Sequence, residues 1–195
     1  NSPNKVIDGI IHHNKQNKNC FYKIFGDEVK IKKSLGSNLN KNSYEIFHTS
    51  EKVEGTDSPL GAAKKGKNTS MWLAIESVKN KDADIVVSAG NTGALLVIAK
   101  LNLTMIENID KPALSGLWPS RKGMSVVLDL GANIECSDKN LSDFSIMGSS
   151  LFKALFPTEN PKVALLNIGS EAEKGNEVLK NTYQKLIKSK NSNYE

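Results

Sequence analysis

Three short apolar runs constrain the fold of this 195-residue chain most strongly. Residues 85–87, 125–130 and 162–168 are rich in valine, isoleucine and leucine, without clean alternation of apolar and polar side chains. Such runs are typical of strands buried on both faces, as in a parallel sheet. Helical patterns separate them, at residues 93–103 and around residues 141–155. The sequence therefore predicts the α/β class, as a three-layer α/β/α sandwich with a mostly parallel sheet.

The remaining elements follow from apolar spacing and capping residues. Two more strands are predicted at residues 21–25 and 44–47, and Ser2-Pro3 is suited to begin a helix that carries His12 and His13. Helix 93–103 is apolar nearly all round, which predicts a buried helix. The other apolar stripes are Val6, Ile7, Ile10 and Ile11; Met71, Trp72, Ile75 and Val78 after a cap at Thr69 or Ser70; Leu141, Phe144, Met147, Leu151 and Leu155; and Val178, Leu179, Tyr183, Leu186 and Ile187.

Length and composition predict one domain over residues 1–195, or a large part of a bigger protein. The chain is 38% apolar and 24% charged, which is enough for a packed core. Its longest apolar run, residues 94–99, is too short to span a bilayer, so we expect a soluble, cytoplasmic protein. Because the sequence opens on Asn1 and its last helical pattern runs almost to Glu195, we expect a fragment that lacks an N-terminal strand and a C-terminal portion.

The net charge of +5 is unevenly distributed. Residues 1–41 hold eight lysines against three acidic residues, whereas residues 42–195 are neutral. Lysine supplies 25 of the 26 basic residues, and base-specific readers favour arginine, so we expect no nucleic-acid partner. A non-catalytic module that docks on anionic lipid or RNA through residues 1–41 stays open as an alternative.

The first candidate site follows the run at residues 85–87. Small and polar residues occur here just before a helix: Ser88, Gly90, Asn91, Thr92 and Gly93. Glycines let the backbone approach a ligand, and the free N–H groups at a helix start favour an anion. The structural alternative is a tight turn in which Asn91 and Thr92 only cap the helix.

Further candidate loops follow the later runs. Asp129 and Asn133 follow the second run, and Lys174 and Asn176 follow the third, where a lysine could neutralise a phosphate or a developing oxyanion. Lys67, with Lys64 and Lys65, precedes a capped helix. Because ligands of open α/β sheets gather at the carboxyl ends of strands, these loops predict a phosphate site with no metal and no side-chain nucleophile.

Other chemistries lack their motifs. The sequence has no Gly-x4-Gly-Lys-Ser/Thr loop, no Gly-x-Gly-x-x-Gly after a strand, no Gly-x-Ser-x-Gly and no zinc-type histidine spacing. The two cysteines, Cys20 and Cys136, form no disulfide framework, and we interpret Cys136 as structural.

The same loops carry a resemblance to a known family. Residues 84–94 (Asp-Ile-Val-Val-Ser-Ala-Gly-Asn-Thr-Gly-Ala), 128–133 (Leu-Asp-Leu-Gly-Ala-Asn) and 166–169 followed by 173–177 (Glu-Lys-Gly-Asn-Glu) resemble the phosphate acyltransferases (PlsX) of bacterial phospholipid synthesis. Residues 57–59, 70–71, 112–114 and 147–148 match in order. The resemblance implies a fold like those of the isocitrate and isopropylmalate dehydrogenases and of phosphotransacetylase.

The family resemblance also implies a reaction. Inorganic phosphate attacks the thioester of a fatty acyl group on acyl carrier protein and gives acyl phosphate, with no cofactor. The implied partners are acyl carrier protein, phosphate and a second copy of the chain, with loose association at the inner face of the membrane. The nearest alternative is a phosphate acetyltransferase that uses acetyl-CoA; the metal-dependent decarboxylating dehydrogenases share the wider fold group, and no cluster of acidic metal ligands is visible in the sequence.

The resemblance assigns roles to single residues. Asn91 and Thr92 would hold phosphate or the reacting carbonyl, while Lys174, with Asn176 beside it, would neutralise the oxyanion. Asp129 and Asn133 would shape the pocket, and Lys67 would be an auxiliary anion contact, next to a Gly66 that replaces a basic residue common in this loop. Ser88, Gly90 and Gly93 complete the implied phosphate site. The family's N-terminal Gly-Gly-Asp loop is absent from this sequence.

Overall fold

The computed structural model describes residues 3–121, 123–169, 171, 174–189 and 193–194. Two compact units divide the chain, Asn1–Thr104 and Met105–Glu195. The helix start at Ser2 and the loop positions Ser170, Ala172 and Glu173 lie outside the described residues. The prediction of one domain over residues 1–195 stays a prediction.

The first unit begins with a helix, which is followed by a strand–helix–strand arrangement. Helix α1 (Asn4–Gln16) precedes β1 (Tyr22–Gly26), α2 (Glu28–Leu35) and β2 (Tyr44–His48). The two strands pair in parallel, with Tyr22 opposite Tyr44 and Gly26 opposite His48. This parallel pair, connected through a helix, confirms the predicted α/β class and the strands expected near residues 21–25 and 44–47.

Three more helices complete the first unit: α3 (Pro59–Lys64), α4 (Ser70–Lys79) and α5 (Thr92–Asn102). Each begins at a side-chain cap, supplied by Ser58, Thr69 and Asn91 respectively. Their apolar faces form one cluster of buried residues, Ala62, Met71, Trp72, Ile75, Ala94 and Ile98. A second cluster packs α1 and α2 against the strand pair through Ile7, Ile24, Ile31, Leu35 and Leu39. The first cluster packs α5 against α3 and α4, which matters for the site below.

The second unit holds an antiparallel strand pair and two helices. Strand β3 (Ser115–Ser120) pairs with β4 (Gly123–Leu128), and α6 (Asp138–Leu155) and α7 (Glu177–Lys188) follow. Ser137 and Asn140 form a reciprocal capping box at the start of α6. Both helices were expected from their apolar stripes, and their buried residues include Phe144 and Leu186.

Two of the three runs that predicted buried strands form no strand. Residues 85–87 belong to no strand or helix, and Ile85 and Val87 are 75% and 77% exposed. Residues 162–168 make a single bridge, between Val163 and Tyr194, and leave Leu166 and Ile168 mostly exposed. These two predictions were wrong because an apolar run indicates only a tendency to be buried, whereas a strand also needs a neighbouring strand for its backbone groups.

Helix α5 is also less buried than its composition predicted. Ala94 and Ile98 are fully buried, but Leu101, in the last turn of the helix, is 63% exposed. Within its unit, α5 packs mainly against α3 and α4. Among the described residues, the structure has no helix that combines the length and apolar character needed to cross a membrane.

Candidate functional site

Asn91 is the residue around which the first candidate loop is built. Its Oδ1 accepts a hydrogen bond from the Ala94 N–H at 3.0 Å and so caps α5. Its Nδ2 donates to the Asp57 carbonyl oxygen at 2.9 Å and to the Gly55 carbonyl oxygen at 3.3 Å. An asparagine amide has two N–H donors, and here both are used. The Asn91 side chain therefore joins the loop before α3 to the start of α5.

The backbone at the start of α5 is left open. The N–H groups of Thr92 and Gly93 have no hydrogen-bond partner among the described residues, and the Thr92 side chain is exposed. Gly93 is needed for close packing, because a Cβ there would lie 2.8 Å from Cγ of Pro59. Ser88 shapes the approach, since its Oγ accepts a hydrogen bond from the Gly90 N–H at 3.2 Å. This helix start offers two N–H donors and a positive dipole end to an anion.

The lysines before α4 have different environments. Lys65 forms an ion pair with Asp57, with Nζ 2.6 Å from Oδ2, and this contact together with the donating Glu54 N–H lowers the pKa of the Asp57 carboxyl below its ordinary 3.8. Lys64 and Lys67 are exposed, and neither has an ion pair within the part of the chain that the structure describes. Of the two, Lys67 lies closer to the start of α4, where Thr69 caps the helix.

Asp129 organises the loop that follows β4. Its backbone lies in the left-handed region, with a φ of 63°. Its Oδ1 accepts hydrogen bonds from the N–H and Nδ2 of Asn133, and its Oδ2 accepts one from Cys136 Sγ at 3.2 Å. Asn133 also donates to the Pro112 carbonyl oxygen at 3.0 Å, which uses its second amide hydrogen. Burial, followed by the Asp129 carboxylate, raises the pKa of the Cys136 thiol. The Asp129 carboxylate is thus committed to the loop.

Lys174 lies two residues before the capping residue of α7. Asn176 Oδ1 accepts from the Leu179 N–H at 3.0 Å and caps the helix. In contrast to Asn91, the Asn176 Nδ2 has no partner among the described residues, and neither has the Lys174 Nζ. Both side chains are exposed. The start of α7 therefore presents an ammonium group, an amide donor and the positive end of the helix dipole, an arrangement suited to an oxyanion.

Each predicted site residue can now be placed within its own unit. In the first unit, Ser88, Gly90, Asn91, Thr92 and Gly93 lie together at the start of α5, and Lys67 lies in the turn between α3 and α4. In the second unit, Asp129 and Asn133 form one hydrogen-bonded loop, and Lys174 and Asn176 lie just before α7. Two surface clefts, of about 510 Å³ between α1 and α2 and about 520 Å³ beside α6, are lined by other residues.

Sequence reasoning missed the groups that hold these loops in place. The backbone carbonyls of Gly55, Asp57 and Pro112 accept from site asparagines, and carbonyls carry no sequence signal. Asn167 lies within the third apolar run and had no role assigned from the sequence, yet its side chain donates a hydrogen bond to the Lys174 carbonyl oxygen. Within the described residues, no group of three or more His, Cys, Asp or Glu side chains is placed to hold a metal ion.

Comparison with known proteins gives a consistent answer over the whole chain. The family described as "Fatty acid synthesis protein" matches residues 1–195. The chain is 69% identical over 195 residues to the phosphate acyltransferase of Pelagibacter ubique, and it covers 58% of that protein. It is 40% identical over 189 residues to the phosphate acyltransferase of Maricaulis maris and 38% identical over 180 residues to that of Paramagnetospirillum magneticum, and it covers 54% and 51% of these proteins. The chain thus spans little more than half the length of these relatives.

Proposed function

Because this chain belongs to the fatty acid synthesis protein family and is similar over its whole length to a phosphate acyltransferase, we propose that the complete protein transfers a fatty acyl group from acyl carrier protein to inorganic phosphate. The product is an acyl phosphate, which then serves phospholipid synthesis. The whole-length match at 69% identity is the observation that carries this proposal.

The proposed reaction balances without a cofactor. An oxygen of hydrogen phosphate attacks the thioester carbonyl carbon, and a tetrahedral intermediate with a negatively charged oxygen forms. When the intermediate collapses, the carbon–sulfur bond breaks and the thiolate of the carrier protein leaves. The proton that phosphate carried ends on that thiol. Phosphate is itself the nucleophile, so the protein has two tasks: to position phosphate against the thioester, and to stabilise the oxyanion.

Lys174 and Asn176 are proposed to stabilise the oxyanion. The Lys174 ammonium and the Asn176 amide lie at the start of α7, and their donors have no partner in the part of the chain that the structure describes. A preorganised charge of this kind costs no reorganisation when the negative charge develops. Because neither donor has a partner among the described residues, neither must break a hydrogen bond to act.

The start of α5 is proposed to bind phosphate. Its available donors are the N–H groups of Thr92 and Gly93 and the Thr92 hydroxyl, while Lys67 supplies an auxiliary positive charge. Asn91 contributes by holding this helix start in place, since both of its amide hydrogens are used. Asp129 and Asn133 shape the loop after β4, since Asn133 donates to the Asp129 carboxylate and to the Pro112 carbonyl oxygen. We also propose a homodimer with loose membrane association, as the family resemblance implies.

The test uses the complete gene product and a matched pair of lysine variants. Long-chain acyl carrier protein and phosphate are supplied, and thiol release and acyl phosphate are measured, with acetyl-CoA in a parallel reaction. We expect phosphate-dependent release from the carrier protein and a loss of about 10²–10³ in kcat for Lys174→Ala, the range found for oxyanion donors. Lys188→Ala removes an exposed lysine at the other end of α7 and should leave kcat unchanged.

Two results would contradict the proposal. Release from acetyl-CoA alone would make the protein an acetyltransferase, and release from neither donor would remove acyl transfer altogether. Near-normal turnover of Lys174→Ala, with the carrier-protein reaction present, would remove only Lys174 from the mechanism.

A further inference from the structure

Asn167 holds the backbone of Lys174 in place. Its Nδ2 donates a hydrogen bond to the Lys174 carbonyl oxygen at 3.2 Å, and its Oδ1 accepts one from the Ile168 N–H at 2.8 Å. The carboxamide therefore bridges two stretches of backbone that are seven residues apart. Lys174 has a second backbone contact, from its N–H to the Glu171 carbonyl oxygen at 3.0 Å, which closes the turn before it.

Gly175 is shaped to admit the Asn167 side chain. Its φ of 88° lies in the left-handed region that favours glycine. A Cβ at this position would lie 2.9 Å from Oδ1 and 3.0 Å from Nδ2 of Asn167. Any residue with a side chain here would thus be strained in its backbone and would also displace the carboxamide. The contact and the glycine form one unit, which we call the Asn167 clamp (Asn167, Lys174 and Gly175).

We propose that Asn167 is a positioning residue for acyl transfer, which acts by fixing the Lys174 ammonium relative to the start of α7. This inference rests on the proposed function, because it gives Asn167 its role through the proposed role of Lys174. Asn167 is not a catalytic residue in this account, since its Oδ1 and one of its amide hydrogens are bound to backbone. Without the clamp, the bend at Lys174 and Gly175 is free to move, and a displaced ammonium stabilises the oxyanion less well.

Limited trypsin digestion of the complete protein tests the clamp without reference to activity. Trypsin cleaves after lysine, and the carbonyl that Asn167 holds belongs to the Lys174–Gly175 peptide bond. We expect Asn167→Ala to be cleaved at Lys174 several-fold faster than the unchanged protein. Cleavage at Lys18, an exposed lysine in the loop between α1 and β1, should keep its rate and serves as the internal reference. Equal rates at Lys174 in both proteins would overturn the clamp.

A double-mutant cycle tests the positioning role. Alone, Asn167→Ala should lower kcat about tenfold or more and leave KM for acyl carrier protein unchanged. In a Lys174→Ala background the same substitution should change kcat less than twofold, because the group that it positions is gone. Asn38→Ala is the matched control: Asn38 also donates from Nδ2 to a backbone carbonyl, that of Leu35 at 3.1 Å, but in the first unit. It should leave kcat unchanged.

Gly175→Ala offers a second approach to the same clamp. It should reproduce the kinetic effect of Asn167→Ala, since its new Cβ displaces the carboxamide. Gly123→Ala also places an alanine at positive φ, 127°, but its Cβ meets nothing within 4 Å, so it reports the effect of backbone strain alone. A loss in Gly123→Ala equal to that in Gly175→Ala would contradict the displacement.

The outcomes separate this inference from the proposed function. If the unchanged protein transfers no acyl group, the proposed function and the positioning role both fall. If Lys174→Ala keeps its turnover, the positioning role falls with the role of Lys174. If Lys174→Ala is impaired but Asn167→Ala costs the same in both backgrounds, only the inference about Asn167 is overturned.

Discussion

Substitutions of Asn91 should distinguish the free energy that its helix cap contributes from the free energy that its two donated hydrogen bonds contribute. Asn91→Ala removes the cap of α5, worth about 1 kcal/mol, and two hydrogen bonds to the carbonyls of Gly55 and Asp57, worth about 1 kcal/mol each at most. We therefore expect the free energy of unfolding to fall by about 2 to 3 kcal/mol. Asn91→Ser keeps a capping oxygen and loses only the two donors, so it should cost about 1 to 2 kcal/mol.

Urea denaturation of the complete protein measures these losses. With an m-value of about 2 kcal/mol per molar urea, Asn91→Ala should lower the midpoint by about 1 to 1.5 M. Asn176 supplies the matched control, because it caps α7 in the same way but donates to no described group. Asn176→Ala should therefore cost about 1 kcal/mol and Asn176→Ser almost nothing.

Two results would refute this reasoning about Asn91. If Asn91→Ser were as stable as the unchanged protein, the two donated hydrogen bonds would contribute nothing. If Asn91→Ala and Asn176→Ala lost the same free energy, the difference between a cap that also tethers a loop and a cap alone would not exist.

Two further predictions concern titratable groups. The bond to Lys65 lowers the pKa of Asp57, so this bond stabilises the fold above the ordinary pKa of 3.8, and the stabilisation is lost as the pH falls through the lowered pKa. Asp57→Asn should therefore make the free energy of unfolding depend less on pH in acid. An unchanged pH dependence would contradict the contribution of the ion pair. Burial and Asp129 raise the pKa of the Cys136 thiol, so iodoacetamide at pH 8 should alkylate exposed Cys20 well before Cys136. Asp129→Asn should speed the reaction at Cys136. Mass spectrometry of the two cysteine-containing peptides measures both alkylation rates.

The helices were predictable because their signals are local. The cap at Thr69 and the stripe of Met71, Trp72 and Ile75 lie within a few residues of one another, and α4 forms as expected. The same holds for α6, where Phe144 is buried on the predicted face. Spacing and capping depend on the chain's own neighbours along the sequence, so no distant partner is needed to interpret them.

The strands were predictable only where a partner exists. The run at residues 44–47 became β2 because β1 lies beside it, whereas the more apolar run at residues 85–87 has no strand to pair with in the described part of the chain. Pairing joins residues far apart in sequence, and one sequence alone does not state which runs will meet. The apolar pattern therefore predicted the α/β class correctly and the list of strands only in part.

The site asparagines show the same limit of prediction from sequence, here for single hydrogen bonds. From sequence, Asn91, Asn133 and Asn176 are equivalent polar residues at helix or loop starts, and each offers two amide donors. In the structure Asn91 and Asn133 use both donors on backbone carbonyls or a carboxylate, whereas both donors of Asn176 are without a partner among the residues that the structure describes. The carbonyls that decide this lie 34 and 36 residues away for Asn91 and 21 residues away for Asn133.

This distribution of donors bears directly on which group attacks the thioester in the proposed reaction. The loop after β4 has a carboxylate and a thiol, but Asp129 accepts three hydrogen bonds within its own loop, one of which the Cys136 thiol donates. Because the thiol pKa is raised, Cys136 stays protonated at neutral pH and is a poor nucleophile. Within the described residues, Lys174 and Asn176 keep donors without a partner, as the proposed stabilisation of the oxyanion requires. Asp129 and Cys136 are therefore poor candidates for the nucleophile, which accords with the role that the proposed mechanism gives to phosphate.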